Sequence, residues 1–130
     1  MSPEEIVRYD AYWYNVGTQK AIDARDAALK EINTWSNSKR NDIVTVVGAV
    51  DLDTGNVAVG IKSARTHRVI YVNGKYICAE DLAVEQLGGN KPSIVMTPAI
   101  RPRTNNPKSV CVHCQKIYSK SQFMEDVEFE

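Results

Sequence analysis

The chain has no apolar run near the roughly 20 residues needed to span a bilayer, and its first residues lack the charged-then-apolar layout of a secretion signal. It has no internal repeat and no low-complexity segment. It has only 3 cysteines, an odd number with two of them in a Cys-x-x-Cys, which argues against a disulfide framework and for a metal or a redox pair. A redox pair needs a preceding strand in a βαβ setting and no third cysteine, whereas a metal uses all three. The formal net charge is zero. That balance hides an asymmetry: residues 1–59 carry a net −3, residues 60–122 a net +7, and the last eight residues −4.

What is present fits one domain. At 130 residues, with 43% hydrophobic and 25% charged content, the chain can build a single core without staples. Residues 3–36 read as helical. Ser2, Pro3, Glu4 and Glu5 make a helix start, and an aromatic cluster from Tyr9 to Tyr14, including Trp13, is expected to pack. Gly17 and Thr18 are expected to break this helix. A second helix then carries Ile22, Ala28, Leu29, Ile32 and Trp35. Residues 36–41 read as a polar linker. Residues 43–50 and 57–61 read as a hairpin turning on Asp53-Thr54-Gly55-Asn56. A short second hairpin is expected over residues 69–76. A helix opens at Cys78 and stops at Gly88-Gly89. Residues 94–100 form a near-continuous apolar strand expected in the sheet interior. A loop over residues 101–108 leads to Cys111, a short helix runs to about Ser119, and the alternation of residues 123–129 reads as a last strand.

The chemistry lies in Cys78-Ala79-Glu80 and, 33 positions later, Cys111-Val112-His113-Cys114. Three thiolates can hold a zinc ion and leave a fourth position for water, the mark of a catalytic rather than a structural zinc. Helix N-termini favour the thiolate form and offset the site's negative charge. Glu80, two residues from the first ligand, can take a proton from that water without being a ligand itself. A closed zinc knuckle is the alternative, with His113 or His67 as fourth ligand. His113 lies inside the Cys-x-x-Cys, where folding back onto the same metal is difficult, and a closed site leaves Glu80 unexplained. The basic stretch that surrounds the site suits a phosphate-bearing polymer.

Cys-x-Glu followed about 30 residues later by Cys-x-x-Cys after an apolar strand resembles the cytidine deaminase superfamily. The likeness extends to the opening hairpin, with Val47-Gly48-Ala49-Val50, Thr54-Gly55 and Val59-Gly60, and covers residues 43 to about 120. It implies a three-layer α/β/α fold with a mixed sheet of about four to five strands and helices on both faces. By the same resemblance Cys78, Cys111 and Cys114 bind one Zn2+, and Glu80 shuttles protons. Backbone groups of Ala79 hold the pyrimidine edge, and the Ser109 carbonyl accepts from the exocyclic amine. The chain departs from the family pattern at two places. Val110 stands where the family has Pro, and Lys62-Ser63-Ala64-Arg65 stands where nucleoside deaminases carry an Asn and a Glu for the ribose hydroxyls. Free cytidine is therefore expected to be a poor substrate.

Lys62 and Ser63 line the site by position. Arg65, His67, Arg68, Lys75, Arg101, Arg103 and Lys108 are candidate phosphate contacts, and Tyr71 and Tyr76 are candidates for base stacking. Small size, a helical preface and the Cys-Ala-Glu helix resemble deaminase domains of bacterial polymorphic toxins. That resemblance implies a zinc-dependent hydrolase converting cytosine to uracil in nucleic acid, single-stranded DNA first. It also implies a secreted effector acting in the cytoplasm of a target bacterium, a cognate immunity protein as partner, no membrane partner, and a monomer when free. RNA, double-stranded DNA or a free nucleotide remain alternative substrates, and a zinc-stabilised nucleic-acid-binding module the non-enzymatic alternative.

Overall fold

A computed structural model describes residues 3–64 and 77–130, with side chains from residue 11 onward. The hairpin expected over residues 69–76, the Ser2 cap, and Arg65, His67, Arg68, Tyr71, Lys75 and Tyr76 lie outside the described residues.

The protein is mixed α/β. Helix α1 (Pro3–Ile32) leads through α2 (Asn37–Asp42) into β1 (Ile43–Asp51) and β2 (Val57–Ser63). Helix α3 (Ala79–Gln86) is followed by β3 (Ile94–Met96), β4 (Ala99–Arg101), β5 (Asn106–Lys108) and α4 (Val112–Ile117). The sheet runs β2-β1-β4-β5, with β3 also paired to β1, and every pairing between these strands is antiparallel. The sheet among the described residues is thus antiparallel rather than the mixed sheet expected, and parallel pairing there is limited to two isolated bridges, Met96 with Phe123 and Val110 with Phe129.

β1 organises both layers because a strand alternates its faces. Val47 and Ala49 join the larger core with α3 residues Ala79 and Ala83 and with Cys114 of α4. Val46 packs with Leu29 and Ile32 of α1, and Val50 with Ala21. Helices therefore cover both faces. Two glycines let them approach: a Cβ on Gly48 would lie 2.3 Å from the Ala21 carbonyl oxygen, and one on Gly60 would lie 1.9 Å from that of Ala79.

Several elements differ from the sequence expectations. α1 is one continuous helix of 30 residues rather than two broken at Gly17 and Thr18. Gly17 marks a close approach, since a Cβ there would stand 2.7 Å from Leu52 Cδ2, and the Thr18 hydroxyl caps nothing, donating to the Tyr14 carbonyl at 2.7 Å. Tyr12 and Trp13 are exposed at 63% and 47%, so that aromatic pair is on the surface rather than packed in the core. The linker at residues 36–41 is largely helix α2, started by the Arg40 N–H donating to the Ser36 carbonyl at 2.9 Å. The apolar run 94–100 divides at Thr97-Pro98. Proline offers no N–H there, and Thr97 trades bonds with Gly48 instead, its N–H donating at 2.9 Å and its hydroxyl accepting at 3.0 Å. The expected loop at 101–108 is a hairpin of β4 and β5, turning through Asn105 in the left-handed region (φ 56°). The expected last strand is absent: Phe123 and Val127 are buried, but the segment makes only the two isolated bridges and packs through edge-on contacts of Phe123 with Tyr118 and Phe129. α3 keeps to expectation, with Cys78 as its N-cap and Gly88 and Gly89 at positive φ past its end.

Candidate metal centre

Cys78 caps α3 and Cys111 caps α4, so two helix N-termini point at one place. The three sulfurs of Cys78, Cys111 and Cys114 lie within 4.8 Å of one another, and Cys78 Sγ is 3.4 Å from Cys111 Sγ. A tetrahedral zinc with Zn–S near 2.3 Å needs sulfurs about 3.8 Å apart, a separation close to the 3.4 Å of the Cys78–Cys111 pair and below the 4.8 Å that bounds all three. The thiol set fits zinc by separation and by softness. His113 does not belong to the cluster: its Nε2 sits 3.9 Å from Asp81 Oδ2. His67 lies outside the described residues.

The three thiols shift one another. A hydrogen bond from Cys114 pushes the Cys78 pKa down, whereas Cys114 is pushed up by that same bond and then by burial. Burial pushes the Cys111 thiol up. Glu80 is 6% exposed, and burial raises its carboxyl above the ordinary range. The Cys114 thiol faces Glu80 Oε2 at 3.7 Å. The carboxyl thus stands beside the sulfurs.

A small cavity of about 40 Å³ opens onto Cys78, Ala79, Glu80 and Cys111, and its other walls are Thr45, Lys62, Ala99, Lys108 and Ser109. That volume admits water. It is too tight for a base unless a wall moves; Lys108, which donates to Thr45 Oγ1 at 3.3 Å, is an exposed wall residue. A larger groove of about 1000 Å³ between α1 and the β1–β2 turn holds no comparable cluster of reactive groups.

The sequence-predicted residues separate into three groups. Cys78, Ala79, Glu80, Cys111, Lys62 and Ser109 meet at the cavity, with Cys114 fully buried behind it. Ser63 is buried beside Lys62 but is not a wall, and Arg101 is exposed on β4 away from the cavity. Arg65, His67 and Tyr76 fall outside the described residues.

Sequence reasoning missed Thr45, Ala99 and a supporting pair, Asp81 and Tyr118. Asp81 Oδ2 accepts from the Cys78 N–H at 2.9 Å, and the Tyr118 hydroxyl donates to Asp81 Oδ1. Burial, then this bond, pushes the Tyr118 pKa upward. The pair ties α4 to the cap of α3, joining the two segments that carry the thiols. An acid three residues after a cap is a readable capping signal. Nothing in the spacing announces Tyr118 or Thr45. Comparison with protein-family models, curated proteins and solved structures returns no match.

Proposed function

We propose that the protein is a zinc-dependent hydrolytic deaminase that converts cytosine to uracil in nucleic acid, with single-stranded DNA as the favoured substrate. One observation carries this reading: a buried carboxyl, Glu80, stands beside a cluster of three thiols at a cavity with two lysines in its wall. Zinc held by those thiols supplies a water acidified enough to attack at neutral pH.

The chain's own groups do the rest. Glu80 takes one proton from the attacking water as the new C4–O bond forms and passes it to ring N3, then takes the second from the hydroxyl now on C4 and passes it to the departing exocyclic amine. The C4–N bond breaks, ammonia leaves, and cytosine plus water becomes uracil plus ammonia. The Ala79 backbone and the Ser109 carbonyl, both at the cavity wall, hold the pyrimidine edge. An unpaired strand is favoured because no unpairing energy is needed to seat the base. The toxin setting, with delivery into a competitor's cytoplasm and a neutralising immunity protein, follows from the resemblance to polymorphic-toxin deaminases. Among the described residues no helix is long and apolar enough to cross a membrane.

The test is sequencing of DNA and RNA from uracil-repair-deficient bacteria that express the chain. C-to-T changes in DNA are expected, and they vanish in Glu80→Gln while the purified variant keeps its zinc. Toxicity and mutation spectrum unaltered by Glu80→Gln contradict the reading and favour a zinc-bound nucleic-acid-binding module.

A further inference from the structure

We infer that Lys62 and Lys108 form an anion-receiving pair for the phosphate flanking the reacting base, restricting the site to phosphate-bearing pyrimidines. The inference rests on the deaminase reading above. Lys62, the next-to-last residue of β2, is 7% exposed, which holds its charge close to the cavity rather than out in solvent. Both lysines line the cavity that reaches Cys78, Glu80 and Ser109. Lys108 donates to Thr45 Oγ1 at 3.3 Å, and its charge also bears on the Glu80 carboxyl at the same cavity. Its strand places it opposite Ala99 in the β4–β5 hairpin. Arg101, two residues beyond Ala99, shares that face of the hairpin. Positive charge therefore runs from the cavity along the hairpin, the arrangement that follows a phosphate backbone. A lysine meets a phosphate as a mobile point charge.

A purely structural role is the rival: two cations could offset the thiolates and Glu80. The rival predicts that losing a lysine harms zinc binding and ligand binding regardless of the ligand's charge. The phosphate role predicts that the loss matters only when the phosphate is charged.

The experiment uses zinc-loaded Glu80→Gln protein titrated with a fluorescent single-stranded oligodeoxynucleotide containing one cytosine. One form has native phosphodiesters. The other has neutral methylphosphonates on both sides of that cytosine. Binding of the neutral form is expected to be about tenfold weaker, near 1.4 kcal/mol. Adding Lys62→Met or Lys108→Met is expected to erase most of that difference. Equal binding of the two forms with both lysines present overturns the inference. So does a lysine variant that weakens both forms alike. Exposed Lys108 keeps the test readable if Lys62→Met fails to fold, as judged by zinc content and thermal melting. Deamination of the same strands by the unaltered protein separates the two claims. Equal uracil formation from both sinks the phosphate site and leaves the deaminase standing. No uracil from either, with charge-dependent binding intact, sinks the deaminase and leaves the lysine pair as an anion site.

Discussion

Gly60→Ala adds one methyl group on β2, yet its effect should appear at the metal. The new Cβ would stand 1.9 Å from the Ala79 carbonyl oxygen, with the Ala79 carbonyl carbon and the Ala83 nitrogen both at 2.9 Å. All three are backbone atoms, so no rotamer relieves the clash. Restoring ordinary contact requires α3 to retreat by about 1.5 Å. Cys78 caps that helix and Glu80 lies in its first turn, so both move with it. Zinc–sulfur bond lengths vary by only about 0.2 Å, so the thiol side chains would have to absorb the shift. Disturbing the support of a zinc ligand costs about 10- to 100-fold in affinity, and overpacking costs about 1–3 kcal/mol of stability. Competition against a chromophoric zinc chelator measures the first, and chemical denaturation of the zinc-free protein the second. Gly55→Ala is the control: φ is +77° there and nothing lies within 4 Å of the new Cβ, so it should lower stability through strain and leave zinc affinity alone. Wild-type zinc affinity in a folded Gly60→Ala protein would refute the claim that this contact sets the thiol geometry.

Four further outcomes follow from packing and charge. Burial alone would raise the Asp51 carboxyl, but the Ser93 hydroxyl at 2.8 Å, the Asp53 N–H at 3.0 Å and Lys91 at 3.4 Å hold it below its ordinary value. A depressed folded-state pKa stabilises above the unfolded value and is lost as pH falls through the folded one. Asp51→Ala should therefore cost about 1–3 kcal/mol near neutrality, with the gap to wild type closing below about pH 4 in urea melts. Tyr118→Phe removes the hydroxyl that holds Asp81, and zinc affinity should drop by up to about tenfold with the secondary structure unchanged by circular dichroism. Gly48→Ala drives a Cβ onto the Ala21 carbonyl oxygen at 2.3 Å and should destabilise by about 1–3 kcal/mol or more. Gly17→Ala meets side chains alone, the movable Leu52 at 2.7 Å and Val50 at 3.4 Å, and about 1 kcal/mol of helix propensity offsets the crowding, so its thermal midpoint should stay near wild type.

Much of the candidate site was legible because its parts are local. Cys78 and Glu80 sit two residues apart at one helix start, and Cys111 and Cys114 three residues apart at another, so spacing alone suggests that each pair shares a helix end. Their meeting depends on contacts that spacing does not encode, above all the Gly60–Ala79 approach and the Tyr118–Asp81 bond. The first hairpin was readable because β-branched runs flank an unambiguous turn. The errors occurred where tertiary packing overrode local preference. Gly17 looks like a helix break until the sheet beneath it explains the missing side chain. Residues 123–129 alternate like a strand, but their aromatic rings pack on one another and on Tyr118 in place of a ladder. Pro98 splits the apolar run, a signal visible in the sequence but outweighed by the surrounding hydrophobic residues.

The central claim is a zinc bound by three sulfurs with a water-accessible fourth position beside Glu80. X-ray absorption at the zinc edge of the purified protein tests it most directly. The account predicts one zinc per chain, three sulfur scatterers near 2.3 Å and a single oxygen near 2.0 Å. An imidazole signature in the fourth position, or a chain that purifies without metal and binds none, would contradict it.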